Sequence, residues 1–227
     1  MSGRSGGHGR LAPSLLLLFS ASIVAAACAS NRARGPLDNS FLTGKPCQAP
    51  CWYGLELGRS DSEQVMSTLR TLAFVDAASI ISRPTGWYDS DDAMLVEYEC
   101  VGQPGESCGA ALVSEGTLVR ITLPVQVPIT FREAVNRLGQ PDYVFAGPPA
   151  VSGGCVVELF FRARQAIVSS HQRGDEICER VYDGHGIDPE LVLDSITYVT
   201  GNVMPPGEDS GPPFFPWRGF LESDASE

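Results

Sequence analysis

The sequence predicts an α+β fold in which two tandem helix-plus-antiparallel-sheet units, each a two-layer sandwich, follow an N-terminal signal and a flexible tether. Three observations predict it. An apolar leader runs into a cysteine, a capped amphipathic helix followed by alternating strands occurs twice, and six further cysteines fall in pairs within the units. The expected boundaries are 1–27 for a lipoprotein signal peptide, 28–46 for the tether, 47–125 for the first unit, 126–203 for the second and 204–227 for a Pro-rich C-terminal tail.

Arg4 and Arg10 give the leader its positive start, Leu15 to Phe19 its apolar centre, and Ala25-Ala26-Ala27 the small residues before a cut. A helix over Leu11 to Ala27 would be about 25 Å long, short of the ~30 Å hydrocarbon core, so the segment reads as a leader rather than a permanent span. Cys28 is the expected lipidation site, and several acyl chains there would hold the protein far better than a single one. An ordinary secretory cut near Ala27 or Ala29 is the alternative. Either route gives an extracytoplasmic protein, and lipidation at Cys28 would anchor it to the cell membrane.

Removing residues 1–27 takes away two arginines and no acidic residue, leaving 14 basic and 27 acidic side chains, a net charge of −13. That surface repels phosphate backbones and carries no offsetting basic cluster, which argues against nucleic-acid binding. The polar stretch Asn31-Arg32-Ala33-Arg34-Gly35-Pro36 buries little and reads as tether.

Within the first unit, Ser60 and Glu63 form a capping box ahead of Val65, Met66, Leu69 and Leu72 at helical spacing. Phe74 to Arg83 is open between turn and strand, and Trp87 to Asp92 is a connection. Met94, Val96, Tyr98 and Cys100 alternate as one face of a half-buried strand, and 110–113 with 117–123 read as a hairpin around Ser114-Glu115-Gly116. The second unit restarts the pattern. Thr130 and Glu133 are its capping box, Phe131, Ala134, Val135 and Leu138 its apolar face, and Gly139 with Pro141 its stop. Strands follow at 143–146, 155–161, 166–170 and 195–200, with a short helical turn starting at Asp188-Pro189.

Six cysteines in an exported chain read as a disulfide framework with several possible connectivities. Order along the chain suggests local pairs: Cys47 with Cys51, Cys100 with Cys108 across a Gly/Pro loop, and Cys155 with Cys178 clamping a longer hairpin. A zinc site would need the Cys47–Cys51 spacing twice, with histidines nearby, and no Cys-x-x-Cys redox pair occurs.

The segment Thr130 to Val144, with Leu138-Gly139-Gln140-Pro141-Asp142, resembles the helix-to-strand signature of the SmpA/OmlA (BamE-like) envelope lipoproteins. The tandem arrangement, 54–123 and 127–201, is similar to the β-lactamase inhibitor protein fold. In the first copy Leu72-Ala73-Phe74-Val75-Asp76 replaces the signature, and its helix is expected to be longer. The resemblance implies an inhibitory or assembly role in the envelope and transfers no partner-contacting residue.

Chemistry-bearing constellations are few. His185, flanked by Asp183 and Asp188, could serve a hydrolase or metal-dependent enzyme, against the plainer reading of a Gly/Asp-rich surface loop. His171 sits at a hairpin end. No nucleophile elbow or phosphate-cradling glycine loop occurs, since Gly153-Gly154 precedes a strand, and Asp89-Ser90-Asp91-Asp92 lacks the later glutamate of a calcium loop. No catalytic residue, metal or cofactor is assigned. Trp52, Tyr53, Trp87, Tyr88 and Trp217, mostly in loops and termini, are candidate recognition aromatics, with packing of the first loop and tail onto the sheet as the competing role. The expected function is a non-catalytic, membrane-anchored binding module whose partner is an envelope protein or extracellular ligand, with a structural envelope-assembly component as a further alternative.

Overall fold

The computed structural model describes residues 38, 40–86, 92–148, 154–183, 186–201 and 214–220, all within the compact unit that starts at Gly35. Cys28, Trp87, Tyr88, His185 and most of the Asp89–Asp92 stretch lie outside the described residues.

Four described helices, α1 (Ser40–Thr43), α2 (Ser62–Thr71), α3 (Phe131–Leu138) and α4 (Glu176–Tyr182), accompany eleven strands. A small ribbon pairs β1 (Cys51–Trp52) with β2 (Leu55–Glu56). The remaining strands are β3 (Ile81–Pro84), β4 (Met94–Cys100), β5 (Gln103–Ser114), β6 (Thr117–Pro124), β7 (Tyr143–Gly147), β8 (Cys155–Phe161), β9 (Ala166–Gln172), β10 (Ser195–Val199) and β11 (Phe214–Pro216). They form one nine-stranded antiparallel sheet in the order β11-β7-β8-β9-β10-β6-β5-β4-β3.

That sheet corrects the expectation of two tandem helix-plus-sheet units. The α+β class holds, but β10, last of the long strands in the chain, pairs with β6 on one side and β9 on the other, welding the strands before and after α3 together. Its run Ile196 to Val199 is buried on both faces, as a central strand requires.

The helices cover one face. Val65 and Leu69 of α2, the Phe131, Ala134, Val135 and Leu138 face of α3, and Cys178 and Val181 of α4 share one core with Val96, Tyr98, Ala111, Leu118, Val144, Val157, Leu159, Val168, Ile196 and Tyr198. The α3 capping box forms as expected: the Glu133 N–H donates to Thr130 Oγ1 at 3.3 Å and the Thr130 N–H to Glu133 Oε2 at 2.8 Å. At α2 the cap lies one residue later. Asp61 caps with Gln64, while Ser60 Oγ accepts from the Glu56 N–H at 3.0 Å and the Ser60 carbonyl from the Leu118 N–H at 2.7 Å, so the serine is drawn into the sheet. As expected, α2 is longer than α3.

The three disulfides pair Cys47 with Cys51, Cys100 with Cys108 and Cys155 with Cys178. The last joins β8 to α4 rather than clamping a hairpin, because Cys178 lies on a helix that the Glu/Arg-rich segment conceals. Two terminal expectations also change. The tether does not extend to residue 46, since Phe41 on α1 is buried in the core. The tail is partly sheet: β11 pairs with β7 along an edge.

Both edge strands carry proline. With the Thr85 N–H bonded to the Ala93 carbonyl at 2.9 Å, antiparallel alternation turns Ser82 and Pro84 to the free side of β3. The Trp217 N–H bond to Asp142 at 3.4 Å likewise turns Phe214 and Pro216 outward on β11.

Candidate functional site

On the sheet face away from the helices the described residues leave a ligand-sized space. Between β3 and β6 lies a groove of about 430 Å³. Its floor is Leu95, Ala110 and Leu112, side chains of the parity opposite to the core residues of β4 and β5. The register sets Arg83, Leu95, Leu112 and Arg120 side by side across four strands, so an apolar pair is bracketed by two guanidinium groups.

The two arginines differ. Arg83 is paired, its Nη2 at 2.7 Å from Glu97 Oε2. Arg120 donates from Nε to Thr122 Oγ1 at 3.2 Å and has no carboxylate within ion-pair distance among the described residues. Thr197 Oγ1 on β10 lies 3.2 Å from Thr122 Oγ1 and carries the polar row onward. Beyond it, Glu158 on β8 accepts from Ser169 Oγ at 2.9 Å. Burial raises the Glu158 carboxyl above the usual carboxylate range, with the Ser169 hydrogen bond and the charges of Arg120 and His171 pulling the other way. A groove of this size with an apolar floor and a guanidinium at its rim can hold an extended chain segment whose carboxylate meets Arg120.

At the far end of the same face the surface is closed. Phe160, Ile167 and Val199 are buried beneath Tyr143, Phe145 and Phe214.

The sequence-predicted site residues fall elsewhere. Trp52 is 2% exposed, so its ring belongs to the core; its Nε1 donates to Asp38 Oδ2 at 3.0 Å. Tyr53 is half-buried and its hydroxyl donates to Asp38 Oδ1 at 3.3 Å, which corrects the recognition role expected for this pair. Burial, the charge of Asp38 and this hydrogen bond push the Tyr53 pKa up to about 12. The backbone N–H of Ser40 completes the clasp on Asp38 at 2.8 Å. Trp217 Nε1 donates to Gln140 Oε1 at 2.5 Å and its ring meets Phe220 edge-on at 5.1 Å, so it serves to pin the tail. His171 Nδ1 lies 3.4 Å from Asp194 Oδ2 at the surface. Asp188 Oδ1 accepts the Glu190 N–H at 2.9 Å, as a turn-forming aspartate does. Among the described residues no group of three His, Cys, Asp or Glu side chains could hold a metal.

Arg83, Leu95, Leu112 and Arg120 escaped the sequence reading. The available signal was leucine at two positions that strand alternation assigns to the solvent side. Fold and groove together define a class by architecture alone, a helix-backed antiparallel sheet stapled by disulfides with an open groove on its other face. No family model, curated protein or solved structure matches the chain.

Proposed function

We propose that the protein is a non-catalytic extracytoplasmic binding module, held at the membrane through lipidated Cys28, that docks an extended, carboxylate-bearing segment of an envelope protein in the β3–β6 groove. The observation that carries the reading is the row Arg83, Leu95, Leu112, Arg120, where an apolar floor lies beside a guanidinium that has no carboxylate partner among the described residues. On a protein this acidic, Arg120 is a local site of opposite sign for an acidic ligand. The three disulfides support an oxidising compartment. The likeness of Thr130 to Val144 to the SmpA/OmlA lipoproteins points to the same envelope setting.

The test is a photo-crosslinking residue at Thr122, with a second at Arg59 on the helix side as control. A discrete adduct from position 122 that Arg120→Glu removes is expected. Identical adducts from both positions, or an adduct indifferent to Arg120→Glu, would refute the groove as the docking site. For the anchor, Cys28→Ala should move the protein from the membrane to the soluble fraction; an unchanged distribution would show that Cys28 is not the attachment point.

A further inference from the structure

A second cavity, on the helix side and apart from the groove, has a different chemistry. It measures about 90 Å³ and is lined by Ser40, Gln48, Arg137, Arg164 and Tyr198, among others. Arg137 lies in the last turn of α3, where its Nε donates to the Phe41 carbonyl, fixing the guanidinium, and its terminal nitrogens make no hydrogen bond among the described residues. Arg164 ends the 3-10 turn between β8 and β9 and makes no ion pair among the described residues. Tyr198 is only 3% exposed as a whole, and no hydrogen bond from its hydroxyl is found among the described residues. Whereas the Tyr98 hydroxyl is sealed in the core, Tyr198 borders this cavity.

At the cavity wall the Tyr198 hydroxyl is a donor available to whatever enters. Two guanidinium groups at the wall of one small cavity, both on solvent-exposed residues, offer positive charge to an anion that enters it. Both features suit an oxyanion. Two guanidiniums, a hydroxyl and the Gln48 amide supply more donors than the two oxygens of a carboxylate accept, whereas a tetrahedral phosphate presents oxygens on every side. The volume admits one such group and leaves an attached body to project out.

We infer that this cavity is a phosphate-binding site in which Arg137 and Arg164 supply the charged donors and Tyr198 the neutral one. The tyrosine keeps its proton at neutral pH, because burial and then the charge of Asp38 raise its pKa while Arg137 opposes them, so it donates rather than repels. The phosphate could be a free anion or the headgroup of a lipid, whose chains would lie outside the cavity. The site does not depend on the groove having a ligand.

Calorimetry on the full chain in detergent, in low-salt buffer without phosphate, would use three probes: inorganic phosphate, acetate and dihexanoyl-phosphatidylglycerol below its micellar concentration. Saturable binding of a phosphate probe is expected, with acetate at least about tenfold weaker and with Arg164→Gln weakening the phosphate probe by about tenfold. Tyr198→Phe should weaken it about three- to tenfold through the lost donor. Binding of inorganic phosphate alone identifies a free anion, and tighter binding of the phosphatidylglycerol identifies a headgroup; either outcome supports the site. Equal affinity for acetate, unchanged affinity in Arg164→Gln, or no saturation with either phosphate probe would overturn it. Arg164 is exposed and outside the core, so its substitution leaves the fold intact and decides the question even if Tyr198→Phe unfolds.

Discussion

Along one transverse register row of the second sheet face, Tyr143, Phe160 and Ile167 on β7 to β9 give way to Thr197, Thr122, Ala110 and Glu97 on β10 to β4. At the first end, Phe214 of the edge strand stands 5.3 Å from Phe145 and 5.6 Å from Phe160. Rings from neighbouring strands cover one another there, and the face closes without a helix. At the second end the side chains are short or charged, and although Leu112 is only 5% exposed, no aromatic ring of the described residues lines the groove beside it and Leu95. One backbone scaffold thus carries a sealed half and an open half, and side-chain volume at alternate positions decides which is which.

The largest expected effect breaks the sealed half. Phe160→Ala should cost about 3–5 kcal/mol in denaturant unfolding, since the ring is buried beneath three other aromatics. Groove binding, measured on whatever folded fraction remains, should be unaltered. Arg120→Glu should do the reverse. It should change unfolding free energy by no more than about 0.5 kcal/mol, as an exposed substitution, while weakening the groove's ligand about tenfold or more. A variant that lost stability and binding together would make the two halves a single cooperative feature.

Between them lies Glu158, and its prediction sharpens the boundary. The folded state holds the Glu158 proton more tightly than the unfolded chain, so stability falls as pH rises from the ordinary carboxylate value through the raised one, and the penalty is complete above it. Glu158→Gln keeps an acceptor for Ser169 and should gain on the order of 1 kcal/mol at neutral pH. Below the ordinary carboxylate pKa the two proteins should be equally stable. A gain that persists there would assign the effect to something other than charge burial.

The periodic parts of this fold were legible in the sequence. The Thr130–Glu133 box sits where the motif places it, and each long strand that alternation marked is present. Ser60 misled because a hydroxyl beside a helix start can serve the preceding strand instead, and Asp61 next to it was free to cap. Helix α4 was hidden in a polar stretch whose buried residues are a half-cystine and one valine. The single sheet was not legible, because β10 is inserted between strands distant in the chain and local pattern carries no information on partners. The groove was missed for a related reason: it is assembled from positions on four strands that only register brings together.

The prolines at the two edges have a consequence for how this protein meets others. Of the outward-facing residues, only Ser82 on β3 and Phe214 on β11 have an N–H to offer, so an incoming strand would find one donor per edge where a ladder needs several. Growth of the sheet by edge-to-edge addition is thereby blunted on both sides, which protects copies of the chain from templating one another into fibrils. Any contact between this sheet and another chain is then left to surfaces rather than rims, and the open half of the face away from the helices is the broadest such surface that its own side chains leave uncovered.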